Sequence, residues 1–385
     1  MPPRVCIIGA GLIGASLAAE LATAGGRVEV LCDRPLGSDT SAASLSWLNA
    51  AGKPPVEYTL MNINGMRRHA EYAQRHKHAP WYHRGGNLRI CFTDDEAERT
   101  AATMQELGGF DYPSRWLTES EARRLEPDLA PEVVRRARVA FFPAECWING
   151  APLIAQLLAE ARANGATVRA RAKVIGFEAA GGRIIAARLQ GGERVEADVF
   201  ALCAGPAAGA LAAEADCHLP LANEPGFQVY TAPAAVMLGR VIHSPRLNLR
   251  PDGAGRICLH DYAADATLLP REGASRVELE TSAGAWRVDP AVIETLLAQL
   301  REFYPGTEGI PAEAARVGMR PVPLDRKPII GFLEPWPNLY AAVMHSGATQ
   351  ALWVGELATR EILDGPVEEL ALFRPTRFAA VAEHA

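Results

Sequence analysis

Val5-Cys6-Ile7-Ile8-Gly9-Ala10-Gly11-Leu12-Ile13-Gly14 opens the chain, and Arg27-Val28-Glu29-Val30-Leu31-Cys32-Asp33 follows after an Ala/Leu-rich run to Ala24 and a Gly25-Gly26 break. An apolar, β-branched run meets glycines, then a helical pattern, then a second strand-like run ending in an acid. GxGxxG alone could be a glycine-rich turn. With the strand before it, the helix after it and the acid in place, it predicts a βαβ unit that binds a dinucleotide. Gly9 allows the tight turn out of the strand, Gly11 lets backbone approach a pyrophosphate, and Gly14 lets the helix pack on the strand. The diphosphate would sit on the positive end of the helix, against free N–H groups. Asp33 stands 19 residues after Gly14, where a carboxylate can accept both ribose hydroxyls.

With 385 residues the chain is too long for one compact core, so two domains are expected. No apolar run approaches a membrane span. The N-terminus enters a strand with no charged-then-apolar leader, which speaks against export and for a cytoplasmic protein. A net charge of −6 argues against a nucleic-acid partner held by phosphate contacts. The seven cysteines are scattered and form no CxxC pair. They read as small buried hydrophobes in a reducing compartment, and a disulfide-reductase mechanism is excluded. No metal site is expected.

Beyond Asp33-Arg34, a loop of small polar residues (Pro35 to Ser46) runs into a predicted helical stretch at Trp47-Leu48-Asn49-Ala50. Such side chains let backbone lie close to a ligand, although an ordinary capped helix start would look alike. Helices are expected over 56–79, 94–108, 118–126, 151–164, 289–303 and 347–364. The helix beginning at Glu119 should stop before Pro131, and Gly365-Pro366 should end the last one. Strands are expected at 88–92, 139–142 and 167–169, then a three-stranded meander turning at Gly181-Gly182 and Gly191-Gly192. A buried strand, Val199 to Leu202, ends in Cys203-Ala204-Gly205. Residues 220–282 alternate short strands and turns, including Phe227–Thr231, Val241–His243, Asn248–Arg250, Arg256–His260 and Val277-Glu278-Leu279, and predict an antiparallel sheet. Strands at 314–322 and 338–344 follow. The order suggests one domain interrupted twice: 1–80, 140–219 and 314–385 for the nucleotide, 81–139 and 220–313 for the substrate. The active site would lie between them.

Four stretches carry a family resemblance: the opening βαβ unit; Ser41-Ala42-Ala43-Ser44 leading to Trp47-Leu48-Asn49; the Val199 to Gly205 strand end; and Gly318-Met319-Arg320-Pro321 through Gly331, followed by Asn338 to Thr349. In this order they resemble the FAD-dependent D-amino-acid oxidase (DAO) superfamily, which includes glycine oxidase, sarcosine oxidase and D-amino-acid dehydrogenases. The resemblance implies an α/β fold: a Rossmann-like FAD-binding domain (GR2-type) interleaved with an α+β substrate domain built on an antiparallel sheet. It implies FAD rather than NAD, with Asp33 and Arg34 at the adenosine ribose. Ser41, Ala42 and Ala43 would lie at the pyrophosphate and flavin, Val174 and Ala204-Gly205 along the nucleotide. Gly347, Ala348 and Thr349 would present a helix N-terminus to the pyrimidine end of the flavin, where reduction places negative charge.

The implied reaction is oxidation of the C–N bond of a small amino acid or amine (a D-amino acid, glycine or an N-methyl amino acid) to an imine, by hydride transfer to flavin N5. Oxygen or another electron acceptor would reoxidise the flavin. Arg320 matches the arginine that grips the substrate carboxylate through two parallel bonds; pairing to a structural acid is the alternative. Members with covalent flavin carry a cysteine near the position of Gly318, so non-covalent FAD is expected. Sarcosine oxidase uses a sheet lysine to activate oxygen, and this chain has no lysine in 174–326. Lys53 is expected at the surface, with a part at the flavin as the alternative. His345, Trp47, Tyr230, His260 and Tyr262 are the remaining candidates for the catalytic pocket, each weighed against core packing. An NAD(P)-dependent dehydrogenase and a flavoprotein acting on a larger partner are the alternative functions.

Overall fold

The computed structural model describes residues 2–76 and 79–378. Its centre is a six-stranded sheet in the order Ile329–Phe332, Leu339–Val343, Val199–Leu202, Arg4–Ile8, Arg27–Leu31, Thr167–Arg169. All pairs are parallel except the Ile329–Phe332 edge. These strands read as continuous apolar runs because both faces are covered. On one face lie the helices Leu12–Thr23, Gly150–Ala163 and Gly347–Asp364. On the other lies the meander of Val174–Ala180, Arg183–Leu189 and Arg194–Glu196.

A second sheet has eight strands: Ala312–Arg320, Glu224–Thr231, Ile257–His260, Asn248–Pro251, Val241–His243, Asn87–Cys91, Arg138–Phe142 and Arg115–Leu117. Its own core is closed by the Pro290–Phe303 helix. The sheet is antiparallel except where Val241–His243 runs parallel to Asn87–Arg89. That pair joins segments 150 residues apart, so no hairpin dictates its direction.

Four expectations are corrected. Val277-Glu278-Leu279 is helical, within Arg276–Thr281: Ser275 and Glu278 form a reciprocal capping box that outweighs the strand-like Val-x-Leu pattern. Trp47-Leu48 is a short strand rather than the start of a helix, pairing antiparallel with Cys146-Trp147. Pro131 begins a helix, Pro131–Arg136, instead of merely ending the one before it, since proline fits the first helical position. The strand at 312–320 belongs to the eight-stranded sheet, paired along its length with Glu224–Thr231. The expected boundary at residue 314 therefore falls on the wrong side of this strand. Pairing register, which local pattern does not encode, assigns it.

Candidate active site

Between the two sheets lies a cavity of about 620 Å³. Its floor is the opening βαβ unit. Gly9 has φ +111°, and a Cβ there would stand 2.3 Å from the Cys203 carbonyl oxygen; a Cβ on Gly14 would stand 2.0 Å from the carbonyl oxygen of Gly9. The strand ends at Ile8 and Leu202, the turn and the first helix thus meet without side chains between them. The Leu12–Thr23 helix has neither a side-chain cap nor an acid in its first turn, so its N–H groups are left for a ligand. Asp33, Arg34, Val174, Ala204 and Gly205 line the same end. Arg34 lies 2.6 Å from Asp39 and 3.7 Å from Asp33.

The Ser41–Leu45 loop crosses the cavity and is held by the eight-stranded sheet. Thr40 Oγ1 donates to the Met319 carbonyl at 2.6 Å, Tyr230 Oη to the Ala42 carbonyl at 3.3 Å and the buried Arg250 Nε to the Leu45 carbonyl at 2.7 Å. Ser41 and Ala43 line the cavity; Ala42 and Tyr230 do not. Tyr230 is therefore corrected from a catalytic candidate to a support of this loop, packed on Leu45 and Cys258. A Cβ on Gly318 would stand 3.0 Å from the Ala43 Cβ, which leaves little room for a larger residue at that position.

The far end of the cavity is built on the Gly347–Asp364 helix. Gly347, Ala348 and Thr349 line it, and the helix start has no side-chain cap and no acid in its first turn. The Val56–Arg75 helix packs behind it. Gly65 meets the Thr349 carbonyl so closely that a Cβ would stand 2.3 Å away. His69, fully buried, donates Nε2–H to the Ala348 carbonyl at 2.9 Å, and burial lowers its pKa to about 4, so the ring is neutral. His345 also lines the cavity, and its accessible surface faces that space. The surrounding protein, then Lys53, Arg320 and Arg326, lower its pKa to about 4. Lys53 lines the cavity too, half-buried, which corrects its expected surface position.

Arg320, His260 and Trp47 all reach the wall. Arg320 Nη2 lies 2.9 Å from Asp265 Oδ2 and donates to the Pro225 carbonyl at 3.1 Å. The ion pair and the hydrogen bond share one nitrogen, and Nε is buried without a partner among the described residues. The guanidinium is thus paired to an acid on its inner side. His260 Nε2 lies 3.2 Å from the same Asp265 oxygen, and the Tyr262 ring meets His260 edge-on at 4.4 Å. Trp47 Nε1 donates to Glu145 at 2.7 Å and the ring lies tilted against His243, with centroids 4.9 Å apart.

Sequence reasoning missed Asp265, Glu145 and His69. Asp265 was hidden in a loop reading Asp261-Tyr262-Ala263-Ala264-Asp265. Glu145 lies between two strands, where no local pattern marks it. Only His69, on the apolar face of an expected helix, left any signal.

A family described as FAD dependent oxidoreductase, DAO, matches residues 4–361. The chain belongs to that family. The DAO match settles FAD as the cofactor and sets the nicotinamide alternative aside. The glycine oxidase of Bacillus licheniformis is 23% identical over 388 residues, covering 97% of each chain. The crystal structure of glycine oxidase from Geobacillus kaustophilus superposes with a TM-score of 0.82 at 21% identity, over 97% of this chain and 99% of that one. L-amino acid deaminase from Proteus vulgaris, with its insertion sequence deleted, gives 0.83 at 16% identity over 98% and 94%. The DAO fold is thus shared over essentially the whole chain. The cradle described above fits FAD: two uncapped helix N-termini, a strand-to-helix turn that admits no Cβ, and the Asp33 carboxylate lie along one cavity.

Proposed function

We propose that this protein oxidises the C–N bond of a small amino acid or related amine to the imine, which water then hydrolyses. The carrying observation is a cavity that continues from the dinucleotide cradle to a polar end where Arg320, His260, Tyr262 and His345 converge. FAD, when bound, supplies the hydride acceptor. The protein supplies position. Arg320, with Nη2 anchored, keeps Nη1 for a substrate carboxylate; its inner partner Asp265 fixes the guanidinium before substrate arrives. His345, neutral at physiological pH, accepts a hydrogen bond from an ammonium or amine without adding positive charge beside it. Glycine, D-amino acids and N-methyl amino acids are the substrates the reading favours. FAD is taken as non-covalent, oxygen or another acceptor as the oxidant. We assign the segments of the six-stranded sheet to FAD and those of the eight-stranded sheet, now including Ala312–Arg320, to substrate. The free cysteines, six of them buried, suit a reducing cytoplasm.

The test is a panel of amino acids and N-methyl amines mixed with holoenzyme without oxygen. Loss of the flavin absorbance with one class is expected. A flavin that no amino acid or amine bleaches would overturn the reading. Peroxide formation in air, against turnover only with an added dye, separates an oxidase from a dehydrogenase.

A further inference from the structure

A second cavity, of about 270 Å³, is lined by the Asn87–Cys91 strand, the Asp94–Gly108 helix and the end of Val241–His243, and shares no lining residue with the first. Strand alternation decides what faces it. Leu88 and Ile90 enter the core of the eight-stranded sheet, so Arg89 stands on the opposite face, beside its register partner His243. Arg89 is half-buried. Every other buried or half-buried arginine among the described residues has a carboxylate within 4.0 Å, from Arg34 with Asp39 to Arg377 with Asp325. Arg89 has none and makes no hydrogen bond there, and its Nε is buried without a partner. Glu145 attracts it only from beyond that distance, with its own oxygens held by Trp47 Nε1 and Tyr112 Oη. Glu96, on the cavity wall, is engaged by the Phe92 N–H at 2.7 Å and the Thr93 N–H at 3.3 Å. The Phe142 ring, 5.1 Å from the guanidinium carbon, gives a cation–π contact but no counter-charge. Partial burial of a cation without a counterion is unfavourable unless an anion is to arrive.

His243 says more about that anion. Its Nδ1 bonds to Asn248 Oδ1, and Asn248 Nδ2 donates to the His260 carbonyl at 3.3 Å. Nδ1 therefore carries the ring proton, and Nε2 is an acceptor without a protein partner. Burial, then Arg89, lowers the pKa of His243 to about 4, so the ring is neutral. We propose that this second cavity binds a small oxyanion that carries a hydroxyl, with its charged oxygens on the Arg89 guanidinium and its O–H donated to His243 Nε2. A planar guanidinium reads two oxygens of one anion. Hydrogen phosphate and a small hydroxy carboxylate share this chemistry. The site does not depend on the reaction proposed above.

The experiment titrates FAD-loaded protein, carrying ring-labelled histidine, with inorganic phosphate and separately with glycolate at neutral pH, followed by NMR. His243→Gln identifies the His243 resonances. Their saturable shift is expected with at least one anion, half-complete below about 10 mM, and the two arms tell an inorganic ligand from a carboxylic one. Sulfate, which has no O–H at that pH, should bind about tenfold more weakly than the better of the two, since two acceptors then meet at Nε2. Arg89→Met should weaken binding by about tenfold or more. If that variant does not fold, the wild-type pattern decides: a shift at His243 supports the site. No saturable shift at His243 with either anion would overturn the proposal, as would a shift confined to His345, which would put the anion in the catalytic cavity. Undiminished binding in a folded Arg89→Met, or sulfate bound as tightly as the other anions, would overturn it too.

Discussion

Arg320 Nη2 and His260 Nε2 converge on one oxygen of Asp265, at 2.9 and 3.2 Å, while the other oxygen accepts the Phe227 N–H at 3.0 Å. A single carboxylate thus fixes two cavity side chains and the strand carrying Gln228. Asp265→Ala would leave His260 Nε2 and the Phe227 N–H without their partner and strip the Arg320 guanidinium of its counterion. It is expected to lower stability by about 3 kcal/mol, read as a shift of the urea midpoint. Asp265→Asn keeps an acceptor and should lose less.

Arg320→Ala tests the carboxylate contact itself. A charge-assisted hydrogen bond is worth about 1.5–3 kcal/mol, so kcat/KM for an amino acid should fall between roughly tenfold and more than a hundredfold. An amine without a carboxylate should be affected far less. Equal losses for both would make Arg320 a structural residue.

Glu145 predicts a signature in stability against pH. Burial raises its pKa from 4.5 to about 7, against the pull of Arg89 and the donors Tyr112 and Trp47. Between those values the native state holds a proton that the unfolded chain has released. The contribution is full below pH 4.5 and is lost as pH rises through 7. Glu126, also raised to about 7, acts alike, and His69, His243 and His345, lowered to about 4, act in the opposite sense. The difference between wild type and Glu145→Gln isolates one group. From pH 5 to 6.5, wild type should lose stability relative to the variant by about 1 kcal/mol per pH unit. Parallel urea titrations across that range would show the carboxyl ionised throughout.

Gly65→Ala should unseat the far end of the FAD site from a distance. The new Cβ meets the Thr349 carbonyl, a backbone atom that cannot rotate away. The Gly347–Asp364 helix start would shift, and purified protein should carry less FAD, measured as the ratio of flavin to protein absorbance. Gly14→Ala, at 2.0 Å from the Gly9 carbonyl, should do the same at the adenine end.

His345 should show no titration near pH 6.5. With its pKa lowered to about 4, NMR of ring-labelled histidine should find its resonances unchanged from pH 8 to 5.5. Movement centred near 6.5 would mean that burial and the nearby cations do not act on it.

Much of this was legible in the chain. The nucleotide cradle is local: strand, glycine turn, helix and acid follow each other between Arg4 and Asp33, and propensity and spacing agree at every step. Gly347 to Thr349 was equally legible as a helix start after a buried strand. The candidates at the chemical end fared unevenly. Arg320, His260, His345 and Trp47 reach the cavity, whereas Tyr230, on the same face of its strand as the cavity-lining Gln228, is covered by the loop and serves the Ala42 carbonyl. A strand's alternation says which residues share a face, but not which of them a packed loop leaves open to the site.

The order of elements, the dinucleotide turn and the family were determined by the sequence alone, because they depend on neighbours within about thirty residues and on motif order. The tertiary structure alone decided the partners across long separations: Asp265 behind Arg320, Glu145 beneath Trp47, His69 under Ala348, and Ala312–Arg320 in the eight-stranded sheet. It also brought Lys53 to the cavity, next to a helix that begins 294 residues later. A side chain's charge and hydrogen-bonding capacity are written in its identity. Whether that capacity is spent on the protein or kept for a ligand is fixed only when distant segments pack, since burial and partner distance set the energy of each polar group.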